Sequence, residues 1–271
     1  MICSIPKKPL LGVYVSVTNY AEVVAAVLTS ALQHEPLKFT ALDAHGLRRA
    51  AKDPHFRELV NRFDIVSPDG HSLRWGLNMV HAQHLSERVA GPDLTMLLCS
   101  GASKTGCPVF LYGSHAHVVC GLRDQLGKLF PRLQVAGVQP SRFRASTFDE
   151  DQADLDLISN SGARLVLVGL GCPLQEQWVF DHSEKLSMPL LAVGAAFDFI
   201  SGNKPRAPKW MQDAALEWVF RILSEPRRLF WRSLPAVTYV FFILCREWMR
   251  KSGSMSRSTV SPLLKPPTEI Q

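Results

Sequence analysis

Residues 163–178 read ARLVLVGLGCPLQEQW. The short apolar run Leu165–Val168 reads as a strand. It leaves through Gly169, Gly171 and Pro173 into a helical stretch that carries Gln175 and Glu176 in its first turn. Such a strand-to-helix junction presents free backbone N–H groups and favours an anion. A plainer reading is a helix start with an acid at its positive end, and it suits Glu176 better than Gln175. The same strand-then-helix alternation runs through the chain. Strand-like runs lie at 37–43 (LKFTALD), 63–70 (FDIVSPDG), 107–114 (CPVFLYGS), 133–138 (LQVAGV) and 189–198 (PLLAVGAAFD). Helical patterns lie between them, as in HVVCGLRDQLGKLFP (117–131) and EDQADLDLISNSG (150–162), the second closed by Gly162. Alternation of this kind predicts an α/β fold with a parallel sheet flanked by helices. Glycine follows many of the runs (Gly70, Gly113, Gly137, Gly169, Gly194). Ligands of open α/β sheets bind outside the carboxyl ends of the strands, where a glycine lets them approach the backbone. Ordinary turn glycines are the alternative.

Composition agrees with a globular chain. Of 271 residues, 46% are hydrophobic and 20% charged, enough for a sizeable core. The six cysteines (3, 99, 107, 120, 172, 245) form no CxxC pair, which argues against structural zinc and fits a reducing cytoplasm. No secretory signal is visible, and LLGVYVSV (10–17) reads as a strand. After Gly202 the pattern becomes helical and basic. Between 204 and 257 the basic residues number eleven and the acids four, an excess above the net charge of +6 for the whole chain. Leu216, Val219, Phe220 and Leu223 form one helical face, and Pro226 suits the first turn of a next helix. The apolar run Leu234–Cys245 is too short to span a bilayer, which takes about 20 residues. The predicted organisation is an α/β body at 1–202, a basic helical appendage at 203–251 and a Ser/Pro-rich tail at 252–271, expected to be disordered.

Four local motifs could carry chemistry. SPDG (67–70) puts Asp69 at a strand end, or is simply an Asp-Gly turn. ERVAGPDL (87–94) offers Arg88 to a phosphate or carboxylate, or is a surface arginine. The junction at 168–178 is the third. GNKPRAPKW (202–210) is a loop with three basic residues. The acids Asp154 and Asp156 in QADLDL lie on a helical pattern and read as a solvated face. No DxD, GxGxxG, Walker A or HExxH motif is present, and the near-neutral body disfavours nucleic-acid binding.

Taken in order, SPDG, ERVAGPDL, VFLYGS, VGLGCPLQEQW, VGAAFDFISGNKPRAPKW and LEWVFRILSEPRRLFWR resemble the WecG/TagA/CpsF glycosyltransferase family over about residues 12–233. The resemblance implies a Rossmann-like α/β enzyme with a C-terminal appendage. It implies inverting, metal-independent transfer of a sugar from a UDP-sugar onto a polyprenyl-diphosphate-linked saccharide, with no cofactor. The place would be the cytoplasmic face of the membrane, and a homo-oligomer is open. It assigns Asp69 as base, with Thr40 beside it. Substrate contacts carry over to Asp43, Gly70, Arg88, Gly113, Gly169, Gln175, Arg206, Arg221, Arg228 and Arg232. The arginines would offset the charge of the leaving diphosphate. For Arg221 a local i,i+4 pair with Glu217 is the rival explanation. Trp231, Phe230 and the run from Leu234, flanked by Arg246, Arg250 and Lys251, would meet the membrane interface. Alternatively, the run completes the core or an oligomer contact. The usual Thr-x-Asn pattern is replaced by FTALDAHGL (39–47), with Asp43 in the asparagine position and Thr40 one residue out of register. This variant looks like the exopolysaccharide branch. Two rivals remain from other classes: a basic-tail binding protein, and a nucleotide-sugar epimerase or NAD-dependent enzyme, the latter disfavoured by the missing GxGxxG.

Overall fold

The computed structural model describes residues 5–224, 238–240, 242–246 and 249. Its centre is a six-stranded sheet of β3 (Leu37–Leu42), β4 (Ile65–Pro68), β5 (Val109–Gly113), β6 (Val135–Gln139), β7 (Leu165–Gly169) and β8 (Pro189–Ala192). They lie in the order β4-β3-β8-β7-β5-β6, and every neighbouring pair is parallel. The sheet is therefore the expected α/β one. The opening run explains why it is apolar at each position. In β7, Val166 and Val168 pack into one core cluster while Leu165 and Leu167 pack into the other. A strand covered by helices on both faces has no wet side and needs no alternation.

One face is covered by α2 (Ala44–Lys52), α3 (Pro54–Asn61), α4 (His71–His81), α7 (Phe148–Asn160) and α8 (Leu174–His182). The other is covered by α1 (Tyr20–Gln33), α5 (Gly91–Thr105), α6 (Ala116–Leu129) and α9 (Ala196–Ile200). Starts and stops follow local chemistry. Asn19 caps α1 by accepting from the Glu22 N–H, and Thr147 with Glu150 forms a reciprocal capping box on α7. Gly162, at φ +76°, closes α7 as expected.

Two readings need correction here. LLGVYVSV is not one strand. It is the turn and second arm of a hairpin, β1 (Lys7–Leu10) with β2 (Val13–Ser16), and Leu11 and Gly12 both take positive φ at the turn. The hairpin lies by β4, where the Ser16 hydroxyl accepts from the Val66 N–H at 3.0 Å. Asp154 is not on a solvated face. It is 3% exposed and accepts two bonds from Arg142 (2.5 and 2.8 Å), one from the Tyr112 hydroxyl (2.9 Å) and one from the Gln139 amide (3.0 Å). A buried carboxylate survives only with such full pairing.

Beyond α9 the helical pattern breaks once more than expected. α10 (Lys209–Asp213) and α11 (Glu217–Ser224) are separated at Ala215, which has φ +61°. Pro226 and the helix expected after it lie outside the described residues. From the apolar run, Val240 (0% exposed) and Leu244 (3%) join the core of the first face. A methyl group on Gly76 of α4 would lie 2.8 Å from Leu244, so glycine is what lets this segment sit so close. These two residues complete the core, as the alternative reading had it. Phe242, at 70% exposed, faces away.

Candidate functional site

The carboxyl ends of β3, β4, β7 and β8 gather most of the candidate residues. β4 ends at Pro68, and the next residue, Asp69, donates its backbone N–H to the Leu42 carbonyl of β3 at 3.0 Å. That bond sets the Asp69 side chain between Asp43, at the end of β3, and the segment 87–94. This segment returns to β4: the Val89 N–H donates to the Pro68 carbonyl (3.1 Å), and the Ser67 hydroxyl to the Val89 carbonyl (3.1 Å). Arg88 is thereby carried over the turn, its Nη1 3.4 Å from the Asp69 carbonyl oxygen. Arg88 is no solvated arginine; its side chain is 15% exposed and its other Nη meets the Glu217 carboxylate of α11.

The charges around Asp69 are mixed. Burial pushes its carboxyl up to about 7, Arg88 and Arg221 pull it down, and Asp43 and Glu217 push it further up. For Arg88, burial works against the charge, but Asp69 and Glu217 more than offset it and leave the guanidinium more firmly protonated than usual. Asp43 also caps α2, accepting from the Gly46 N–H at 2.8 Å.

Thr40 is fully buried and donates to Glu176 Oε1 at 3.1 Å. Gln175 donates to the same oxygen at 3.0 Å, and its own Oε1 accepts from the Gly171 N–H at 3.1 Å. Glu176 is thus not a solvated helix cap. It is 1% exposed, burial raises its carboxyl above the ordinary range, and its Oε2 has no hydrogen-bond partner among the described residues. It ties the junction of β7 and α8 to β3. No local signal marked it: an acid in the first turn of a helix looks the same whether it caps or is buried.

Arg206, from the loop 202–208, holds Asp93 of α5 through two bonds of 2.7 Å and approaches Glu217 at 4.0 Å. Asp93 in turn accepts from the Tyr20 hydroxyl (3.3 Å), and this hydroxyl takes the Ala90 N–H (3.0 Å). Arg221 lies with its guanidinium 5.7 Å from the centre of the Phe199 ring. Glu217 serves Arg88 and Arg206 rather than the i,i+4 pair proposed for Arg221. Gly70 stands at the N-terminus of α4. Gly113 and Gly169 have a packing reason: a methyl on Gly113 would lie 2.8 Å from the Gly169 backbone, and one on Gly169 2.8 Å from the Phe197 ring. Arg228 and Arg232 lie outside the described residues, as do Phe230 and Trp231. Among the described residues, no group of three or more His, Cys, Asp or Glu side chains is arranged to hold a metal ion.

The acid at a strand end, with arginines from two separate segments near it, is suited to moving a proton beside an anion. The sequence model of the glycosyl transferase family WecG/TagA/CpsF matches residues 8–254, and so covers every element of the main sheet.

Proposed function

The chain belongs to the WecG/TagA/CpsF family of glycosyl transferases, and from that premise we propose that it moves a sugar from a UDP-sugar onto a polyprenyl-diphosphate-linked saccharide, with inversion and without a metal. In this reading Asp69 takes the proton of the acceptor hydroxyl as its oxygen attacks the anomeric carbon. The bond from that carbon to the β-phosphate oxygen breaks, and UDP leaves with the electron pair. Arg88, Arg206 and Arg221, with Arg228 and Arg232, offset the charge that the leaving diphosphate gains. Asp43, Gly70 and the glycine-lined strand ends contact the substrates, while Thr40 and Gln175, both buried and bonded to Glu176, act from behind by fixing the junction of β7 and α8 rather than by touching a substrate.

The observation that carries this reading is the position of Asp69: a carboxyl at a strand end, pushed up to about 7 and flanked by Arg88 and Arg221. A base works best with a pKa near the operating pH. For the metal-free form, support comes from the Asp154 carboxylate, whose oxygens are taken by Arg142, Tyr112 and Gln139. The acid-rich stretch QADLDL therefore offers no open carboxylate pair.

Residues 1–202 then form the catalytic body and 203–251 an appendage that serves the donor and the membrane surface. The exposed Phe242 and Met249 support a lipid contact. Among the described residues, no helix is long and apolar enough to cross a membrane.

The test is the pH dependence of kcat/KM in the presence of EDTA. The base must be ionised to act. Activity should therefore persist in the chelator, reach a plateau on the alkaline side and fall as the pH drops through about 7, the value to which the Asp69 carboxyl is pushed. Complete loss in EDTA, with recovery on adding Mg²⁺ or Mn²⁺, contradicts the metal-free mechanism.

A further inference from the structure

Glu217 is the first residue of α11, in the appendage, yet its side chain is only 13% exposed and lies between two arginines, Arg88 of the body and Arg206 of the loop that leads into the appendage. Arg88 comes from the segment that returns to β4, and Arg206 from the loop after α9. Each is anchored separately: Arg88 reaches the Asp69 carbonyl (3.4 Å), and Arg206 grips Asp93 with two bonds of 2.7 Å. The Arg206 Nε is buried without a hydrogen-bond partner among the described residues and lies 4.0 Å from the Glu217 carboxylate.

We propose that Glu217 is a positioning residue of the transfer site: from the appendage it holds the Arg88 guanidinium against the Asp69 turn, so the charge pattern of the cleft is complete only while α11 is docked. This rests on the Asp69 cleft being the site of transfer. An arginine side chain has many rotamers, and only a fixed partner at each end of its planar fork gives it one position. Arg88 has the Asp69 carbonyl at one end and the Glu217 carboxylate at the other. Without Glu217 the main negative charge acting on Arg88 is the Asp69 carboxylate itself. Arg88 would then neutralise the base instead of standing ready for the leaving diphosphate.

This contact also tunes Asp69. The charged groups acting on that carboxyl are Arg88, Asp43 at the end of β3, and Glu217 and Arg221 on α11; Tyr20 on α1 feels it in turn, and His71 of α4, two residues on, shares the field of Arg88 and Glu217. Two of the acids raise it and the two arginines lower it. Removing the Glu217 charge takes away one raising influence and frees one lowering influence, so the Asp69 carboxyl falls toward its ordinary range. An enzyme with an easily ionised Asp69 keeps the base charged at lower pH but makes it a weaker proton acceptor.

The test uses the full chain with Glu217→Gln, Arg88→Gln and the two combined, and reads kcat/KM for the donor across the neutral pH range. Glu217→Gln is nearly isosteric and still accepts a hydrogen bond, so α11 can stay docked. It should lower the plateau by about tenfold, as expected when a charge-assisted hydrogen bond is weakened to one with an uncharged acceptor. It should also move the acid limb to lower pH. Arg88→Gln should lose activity too, and the double variant should be no worse than Arg88→Gln alone, because Glu217 acts through Arg88. Glu217→Asp keeps the charge on a shorter arm and should leave the acid limb near its wild-type position; it carries the test if Glu217→Gln melts early. Losses that multiply in the double variant, or an acid limb that does not move in Glu217→Gln, overturn the proposal. Wild-type kcat/KM in Arg88→Gln would contradict the cleft reading itself and overturn the proposal with it.

Discussion

Replacing Asp69 with Asn lowers kcat for sugar transfer by about 10²–10⁴-fold, the range that acid–base assistance supplies, and leaves UDP binding close to wild type. The amide keeps the size and the polar character of the side chain, so the turn after β4 persists; the Asp69 backbone bond to Leu42 does not involve the side chain. What is lost is the proton acceptor. The acceptor hydroxyl must then attack while still protonated. Removing a carboxylate from a site shared with Asp43 and Glu217 also relieves repulsion, so the melting temperature should hold or rise slightly. A fall in transfer accompanied by a fall in stability would point to a structural role. Retention of more than about a tenth of the wild-type kcat, on the same scale, means that another group is the base. Steady-state kinetics with calorimetric UDP titration separates these outcomes.

Truncation after Gly202 abolishes transfer and weakens UDP binding by at least about tenfold, the effect of losing one or more charged hydrogen bonds. The cut removes Arg206, Glu217 and Arg221 together. It also removes Arg228 and Arg232. All six strands of the main sheet and the helices on both faces lie before the cut, so the body should still fold. It should do so less stably than the full chain, because Val240 and Leu244 are core residues packed on the first face. Burying two aliphatic side chains stabilises by about 1.5–3 kcal/mol each, and the truncation forfeits that. It also leaves Arg88 without Glu217, and a buried charge that loses its partner is costly. Circular dichroism on denaturant titration would show a cooperative transition at lower denaturant. Undiminished UDP affinity in the truncated chain would mean that the appendage has no part in donor binding.

The fold was legible because each strand of the main sheet is a short apolar run bounded by glycine or proline, and each helix between them carries its own stop or start. The hairpin was not, since a leucine at a positive-φ turn position carries no turn signal: Leu11 has φ +50°. The break at Ala215 was hidden for the same reason. Within the candidate site, Asp69 and Arg88 stood out as short local strings. Their surroundings did not. The partner of Arg88 is Glu217, 129 residues away, and the partner of Thr40 is Glu176, 136 residues away. A local pairing rule sent Glu217 to Arg221, because it sees only the helix it is applied to. Asp154 misled in the same way: it lies in an acid-rich stretch that reads as solvated, while Arg142, Tyr112 and Gln139 reach it from a loop and two strands.

Purified full-length protein, incubated in EDTA with a panel of UDP-sugars and a short-chain polyprenyl-diphosphate sugar, tests most directly whether this chain transfers a sugar from a nucleotide donor to a lipid-linked acceptor. The predicted result is a lipid product heavier by one sugar residue with at least one donor, equimolar release of UDP, and neither in the Asp69→Asn variant. An unchanged acceptor mass with every donor, or an equal yield from Asp69→Asn, would contradict it.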